Sequence, residues 1–172
     1  MPSILIHIAF GYILYRCVTS FDRFKHLKKY LFLFLSGSLI PDIKYVVAWI
    51  TYFVMGNGNY AVLSSLFVTH QLFGSLLIAL FLSSTLFRNI FKISLAILVF
   101  EFSGHFLLDI SQYPFTHINH TLLLYPFSDK IFYINFGFIN GVLVFEIVQY
   151  LILGVALILV IWETFFNNLR EI

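Results

Sequence analysis

The chain has 172 residues, of which 60% are hydrophobic and only 10% are charged, and its formal net charge is +2. Soluble domains carry about 25% charged residues, so this composition argues against a water-soluble globule and predicts a protein embedded in a lipid bilayer. The basic residues do not line one face, which predicts no nucleic-acid binding, and a single cysteine, Cys17, excludes internal disulfides and cysteine-pair metal motifs.

Five apolar segments approach the ~20 residues that a transmembrane helix needs. They cover residues 2–21, 30–55, 60–87, 93–110 and about 141–165. Pro41 is expected to end or kink the first half of the second segment, and Gly-Asn-Gly-Asn at 56–59 is typical of a turn. No basic stretch precedes the first segment, so we expect no cleaved signal peptide. The sequence predicts one all-α domain, residues 1–172, that forms a polytopic membrane helix bundle of about five transmembrane helices.

The basic residues indicate an orientation, because Lys and Arg concentrate in cytoplasmic loops. The second break between segments has none of them, and the fourth has only Lys130. The first and third breaks and the C-terminal tail hold most of the others: Arg23, Lys25, Lys28, Lys29, Arg88, Lys92 and Arg170. We therefore expect a multi-pass protein of the cell membrane with a cytoplasmic C-terminus. The N-terminus and the loop 111–135 would be external.

Several ionisable residues lie inside the apolar segments, where an unpaired charge is costly and its presence often marks function. They are His7, Asp42, His70, Glu101, His105, Asp109 and Glu146. Residues i and i+4 share a helix face, so His105 and Asp109 point the same way, with Glu101 one turn before them. Such a pair holds a metal ion or forms an intrahelical hydrogen bond, and the spacing alone favours neither.

The expected depth of these residues favours a common site. In a five-crossing bundle, His7, Asp42, His70, His105 and Asp109 can all meet in the outer half of the membrane. Three imidazoles and two carboxylates suit Zn²⁺, with Mn²⁺ or Fe²⁺ as alternatives, and are too rich in nitrogen for Mg²⁺ or Ca²⁺. Five ligands exceed the three of a typical catalytic zinc, so two ions that share a carboxylate are expected.

Four short motifs occur in order over residues 3–110: PSILIHIAFGYILY, GSLIPDI, THQLFGSLL and SGHFLLDI. In order and spacing they resemble the membrane-bound metal-dependent hydrolases of the YdjM-like type. That family is in turn similar to zinc-dependent phospholipase C, an all-helical phosphodiesterase. The resemblance implies metal ligands at His7, Asp42, His70, His105 and Asp109, with the Asp109 carboxylate bridging two ions.

The chain also departs from the pattern of these relatives. Val142 stands where a histidine would precede Glu146, so a third metal is not expected and Glu146 is interpreted as a buried acid. Lys44 replaces the second aspartate of a common PDxD turn, and the usual arginine beside the TH motif is missing. His117 and His120 are interpreted as solvated loop residues.

The preferred hypothesis is a phospholipase C-like phosphoesterase that hydrolyses a lipid or amphiphilic phosphoester, with Asp42 or Glu101 accepting a proton. Three alternatives fit other readings of the polar residues: an intramembrane transporter or proton relay, a bis-histidine haem protein, and a non-catalytic membrane scaffold. The expected partners are the lipid bilayer and the substrate, and the sequence favours no oligomeric state.

Overall fold

A computed structural model of the chain describes residues 4–55, 71–112 and 141–168, and every regular element in these ranges is helical. Three short 3₁₀ helices, Asp22–Tyr30, Ile40–Asp42 and Arg88–Ile90, connect or interrupt the α-helices. The α-helices are α1 (Ile4–Ser20), α2 (Leu31–Leu39), α3 (Ile43–Met55), α4 (Leu72–Thr85), α5 (Phe91–Gln112) and α6 (Gly141–Asn168). The predicted all-α bundle is confirmed.

Helices α1, α2 and α5 pack against one another and form the core of the bundle. Helices α1 and α2 are antiparallel, since Tyr15 packs edge-on against Phe34 at one end and His7 faces Asp42 at the other. Helix α5 runs parallel to α2. Ile97 packs in the same cluster as Phe34, and His105, further along α5, contacts Ser38, further along α2. Tyr15, Leu33, Phe34 and Ile97 form a buried apolar cluster at the end of the core opposite His7.

The first break between apolar segments is itself helical. The basic 3₁₀ helix, Asp22–Tyr30, has about three residues per turn, so Phe24, Leu27 and Tyr30 recur on one stripe. Leu27 and Tyr30 pack against the buried cluster around Tyr15, and the Tyr15 hydroxyl donates a hydrogen bond to the Lys28 carbonyl at 3.2 Å. From the sequence, this segment was expected only as a basic break between two apolar segments.

The second apolar segment is interrupted at Pro41, as the sequence predicts. Helix α2 ends at Leu39, Ile40–Asp42 forms a 3₁₀ turn, and α3 then departs at an angle of 68°. Pro41 lacks the backbone N–H that a continuous α-helix needs. The break leaves the Asp42 side chain buried at the top of α2, only 3% exposed.

Helices α4 and α6 flank this core. Helix α4 packs on α5 through Ala79, Leu98, Phe102 and Phe106. Helix α6 packs on α1, and its Glu163 accepts hydrogen bonds from Tyr12 at 2.7 Å and Arg16 at 2.5 Å. Arg16 and Glu163 therefore form an ion pair between α1 and α6. Most apolar residues of α6 remain exposed, as lipid contact requires.

Not every described helix has full spanning length. By length and composition, Arg88–Asp109 and Glu146–Phe165 can cross a membrane, and the bent pair Asp22–Asp42 with Tyr45–Val54 would make a third span. Ile4–Ser20 and Leu72–Thr85 are apolar but shorter. Two or three spans are thus found among the described residues where about five were expected, because Pro41 divides the second segment and residues 56–70 of the third lie outside the described ranges.

Candidate metal centre

Four of the predicted site residues converge at one end of the three-helix core. His7 comes from α1, Asp42 from the turn after α2, and His105 and Asp109 from successive turns of α5. All four are buried: His7 is 1% exposed, His105 2%, Asp42 3% and Asp109 9%. One potential ligand atom from each of His7, Asp42 and His105 lies within 4.8 Å of the others.

Each carboxylate presents one oxygen to each imidazole. Asp42 Oδ2 lies 3.5 Å from His7 Nε2, and Asp42 Oδ1 lies 3.8 Å from His105 Nε2. Asp109 Oδ1 lies 3.5 Å from His7 Nε2, and Asp109 Oδ2 lies 3.3 Å from His105 Nε2. The two imidazole rings are stacked, with centroids 3.9 Å apart and an interplanar angle of 19°. Two nitrogens and four oxygens therefore face a common centre.

These separations are those expected between ligands of one ion. Metal–ligand bonds of about 2.0–2.2 Å in tetrahedral geometry place neighbouring ligand atoms about 3.3–3.6 Å apart. A typical N–H···O hydrogen bond joins its heavy atoms at about 2.7–3.2 Å. Three of the four observed distances, from 3.3 to 3.5 Å, lie in the range expected for co-ligands, and the fourth, 3.8 Å, is slightly longer.

The orientation of His105 is set by the backbone of α2. His105 Nδ1 lies 2.9 Å from the Ser38 carbonyl oxygen. A carbonyl oxygen only accepts hydrogen bonds, so Nδ1 carries a proton, and Nε2 is the ring nitrogen that faces the two aspartates. A histidine that donates its distal N–H to a carbonyl is the usual arrangement for a metal ligand.

Glu101 lies one helical turn before His105, about 6 Å along α5, and is 1% exposed. Among the described residues, neither of its carboxyl oxygens has a hydrogen-bond partner. Two glycines on the neighbouring helices make room for it. A Cβ at Gly37 would lie 2.6 Å from Glu101 Cβ, and a Cβ at Gly11 would lie 3.0 Å from Glu101 Oε2. Glu101 is therefore beneath the His/Asp group rather than part of it.

The remaining candidates fall elsewhere. His70, His117 and His120 lie outside the described residues, as does the Lys44 side chain. Glu146 is exposed on α6, so its interpretation as a buried acid was wrong. The reason is that α6 contacts the bundle mainly through α1, which leaves the face that carries Glu146 uncovered.

Sequence reasoning missed two residues that shape the site. Ser38 supplies the carbonyl that orients His105, and Gly37 admits the Glu101 side chain. Both precede Asp42 by about one helical turn and belong to the same GSLIPDI motif, in which only the aspartate was predicted to be functional. Their position one turn from a proposed ligand was the available signal.

Comparison with known proteins gives the family. Residues 1–169 match the family described as YdjM inner membrane protein. The chain belongs to this family. No curated protein and no solved structure matches it. The chain is thus a YdjM-family membrane protein with a His/Asp group that could bind a metal ion. Hydrolase activity and similarity to phospholipase C stay predictions.

Proposed function

We propose that this YdjM-family protein is a metal-dependent hydrolase that cleaves a lipid or other amphiphilic phosphoester. The observation that carries the proposal is the convergence of His7, Asp42, His105 and Asp109 in a buried site in an otherwise apolar bundle. Burying two carboxylates costs several kcal/mol unless cations or hydrogen-bond donors compensate them. A bound cation would contribute to that compensation, and a packing role for the four residues does not explain their shared orientation.

The donor set fits zinc, with manganese or iron as alternatives. Two imidazole nitrogens and two carboxylates would supply four protein ligands, and each carboxylate faces both histidines. The arrangement does not suit bis-histidine haem. Both Nε2 atoms face the same carboxylates from stacked rings, whereas axial ligands approach haem iron from opposite faces.

The two candidate proton acceptors, Asp42 and Glu101, are assigned different roles. A divalent ion held here would activate water and neutralise negative charge on a phosphoester. Because both oxygens of Asp42 face histidine nitrogens, Asp42 is assigned as a ligand. The proton acceptor is then Glu101, whose buried carboxyl has no hydrogen-bond partner among the described residues. Glu101 acts through an intervening water, since it lies one turn from His105.

Metal analysis and hydrolysis assays on detergent-purified protein test these roles separately. We expect Asp109→Asn to lose both metal and activity, because it removes one negative charge that balances the cation. Glu101→Gln should keep its metal while turnover falls by about 10²–10⁴-fold. Glu146→Gln is the matched control, since this glutamate is exposed on α6, and it should change neither quantity.

The assay would supply zinc or manganese and offer phosphomonoesters, phosphodiesters, and polyisoprenyl or glycerolipid phosphates. Equal metal content in wild type and Asp109→Asn would contradict coordination by this group. A metal-loaded protein that cleaves none of the phosphoesters would refute the phosphoesterase assignment and leave the metal site standing.

We further propose that the His/Asp group lies in the outer half of the membrane and that the C-terminus is cytoplasmic. The basic 3₁₀ helix and Arg88–Ile90 lie at the opposite end of the bundle from His7, which agrees with the positive-inside rule. In a Cys17→Ser background, an impermeant thiol reagent added outside should label Asn119→Cys and spare Ser20→Cys. Labelling of Ser20→Cys but not of Asn119→Cys would show the opposite orientation.

A further inference from the structure

The end of the bundle opposite the His/Asp group carries a concentration of exposed cations. Six lysines and arginines from the basic 3₁₀ helix, Arg88–Ile90 and the first turn of α5 lie there: Arg23, Lys25, Lys28, Lys29, Arg88 and Lys92. Asp22 is the one acid of the basic 3₁₀ helix, and it pairs with Lys25 at 2.5 Å. Arg23 and Lys29 lie over the rings of Phe24 and Tyr30. Within the described ranges, Lys28, Arg88 and Lys92 have no ion-pair partner.

An apolar crevice of about 290 Å³ opens beside these cations, between the basic 3₁₀ helix, α1, α2 and α5. It is lined by Val18, Phe24, Leu27, Phe34, Ala96, Ile97 and Phe100. Its walls are apolar throughout, so it does not suit a soluble anion or a sugar. Phe24 is 39% and Phe100 42% exposed, so the crevice is open at the side where the bundle meets lipid.

Two of the unpaired cations are close in sequence to residues that line this crevice. Lys28 follows Leu27, and its carbonyl is held by the Tyr15 hydroxyl. Lys92 precedes Ala96 by four residues, so both lie on the same face of α5. One cation from the basic 3₁₀ helix and one from the first turn of α5 are therefore within one helical turn of a residue that lines the crevice.

We infer that this crevice and its two lysines form a binding site for an anionic phospholipid. One acyl chain occupies the crevice beneath Phe24 and Leu27, and the head-group phosphate binds Lys28 and Lys92. The combination selects the ligand class, because the apolar walls require a hydrocarbon chain and two unpaired cations favour a net negative head group over a zwitterionic one. The site is separate from the His/Asp group and does not depend on hydrolase activity.

Native mass spectrometry of the detergent-purified full chain, titrated with phosphatidylglycerol or phosphatidylcholine, tests the site. Wild type should bind phosphatidylglycerol more tightly. Lys28→Gln and Lys92→Gln should each weaken that binding about fivefold, the effect of one interfacial cation. Arg88→Gln removes an equal charge from the same end and should change binding less than twofold. This control separates a defined site from diffuse attraction.

A steric variant tests the crevice with all charges intact. Ala96 is exposed, so Ala96→Phe fills the opening without disturbing buried packing, and it should weaken phosphatidylglycerol binding at least tenfold. Leu107→Phe is the matched control, since Leu107 is 60% exposed on the same helix and does not line the crevice. Equal affinity for both lipids, equal effects of Arg88→Gln and Lys92→Gln, or unchanged binding by Ala96→Phe would each overturn the inference.

Discussion

Glu101 shows how single residues combine at this site. A buried carboxyl in an apolar bundle is destabilising, and here two neighbouring helices lack side chains where the carboxyl lies. A Cβ at Gly37 would collide with Glu101 Cβ at 2.6 Å, and a Cβ at Gly11 would collide with Ser38 Cβ at 2.7 Å and lie 3.0 Å from Glu101 Oε2. The packing of α1 and α2 is therefore adapted to keep an acid one turn below the His/Asp group.

Replacing a glycine with alanine should destabilise the protein more where the added Cβ would lie closer to a neighbouring atom. In Gly37→Ala the new Cβ would meet Glu101 Cβ at 2.6 Å, so we expect a loss of about 1–3 kcal/mol from overpacking. Gly154→Ala is the control, because nothing lies within 4 Å of its added Cβ, and it should stabilise α6 by about 0.5–1 kcal/mol. Thermal unfolding in detergent measures both. Equal effects would contradict the close approach of α2 to Glu101.

At the scale of helices, α6 is held differently from the core elements. Helices α1, α2 and α5 bury both apolar and polar residues against one another, whereas α6 leaves most of its apolar surface to lipid. Its polar contact with α1 is the cluster of Tyr12, Arg16 and Glu163, in which one carboxylate accepts from two donors. An ionic contact of this kind fixes the register of two helices that lipid would otherwise separate easily.

A double-mutant cycle on Arg16→Gln and Glu163→Gln should give a coupling free energy of about 0.5–2 kcal/mol. Both side chains are partly buried, 25% and 34% exposed, so water screens the pair incompletely. The exposed pair Asp22–Lys25 is the control, and its cycle should show no measurable coupling. Thermal unfolding of the variants provides the free energies. Zero coupling between Arg16 and Glu163 would mean that apolar packing alone holds α6.

The whole molecule has two ends with different chemistry. His7, Asp42, His105 and Asp109 gather at one end, and the exposed cations of the connecting regions gather at the other. Three separate helical regions supply the His/Asp group, so an ion bound there links α1, the end of α2, and α5. Ligand binding to the folded state alone stabilises a protein by mass action.

Removing metal should therefore lower the melting temperature of the purified protein. Without a cation, two carboxylates face each other and two imidazoles in an apolar interior, which is unfavourable. At metal concentrations about 1,000 times the Kd, the stabilisation amounts to about 4 kcal/mol. A chelator should reduce the melting temperature, zinc should restore it, and His105→Ala should abolish both responses. If the chelator does not change the melting temperature of the wild type, the His/Asp group is instead stabilised by hydrogen bonds without a metal ion.

The sequence by itself determined the class of the protein and singled out the four residues of the His/Asp group. Hydrophobic runs of about 20 residues require a membrane bundle, Pro41 predicted the break after α2, and the i, i+4 spacing placed His105 and Asp109 on one face. Ionisable residues are rare in apolar segments, so position alone singled out His7 and Asp42, together with His70, Glu101 and Glu146. These features are local or compositional, so no tertiary structure was needed to predict them.

Only the tertiary structure decided how these residues meet. It showed that each aspartate spans both histidines, that the Ser38 carbonyl orients His105, and that Glu101 lies beneath the group between two glycines. It also paired Arg16 with Glu163, left Glu146 exposed and folded the basic break into a 3₁₀ helix. Each of these depends on which helices are neighbours and at what register, and contacts between distant segments leave no periodicity in the sequence.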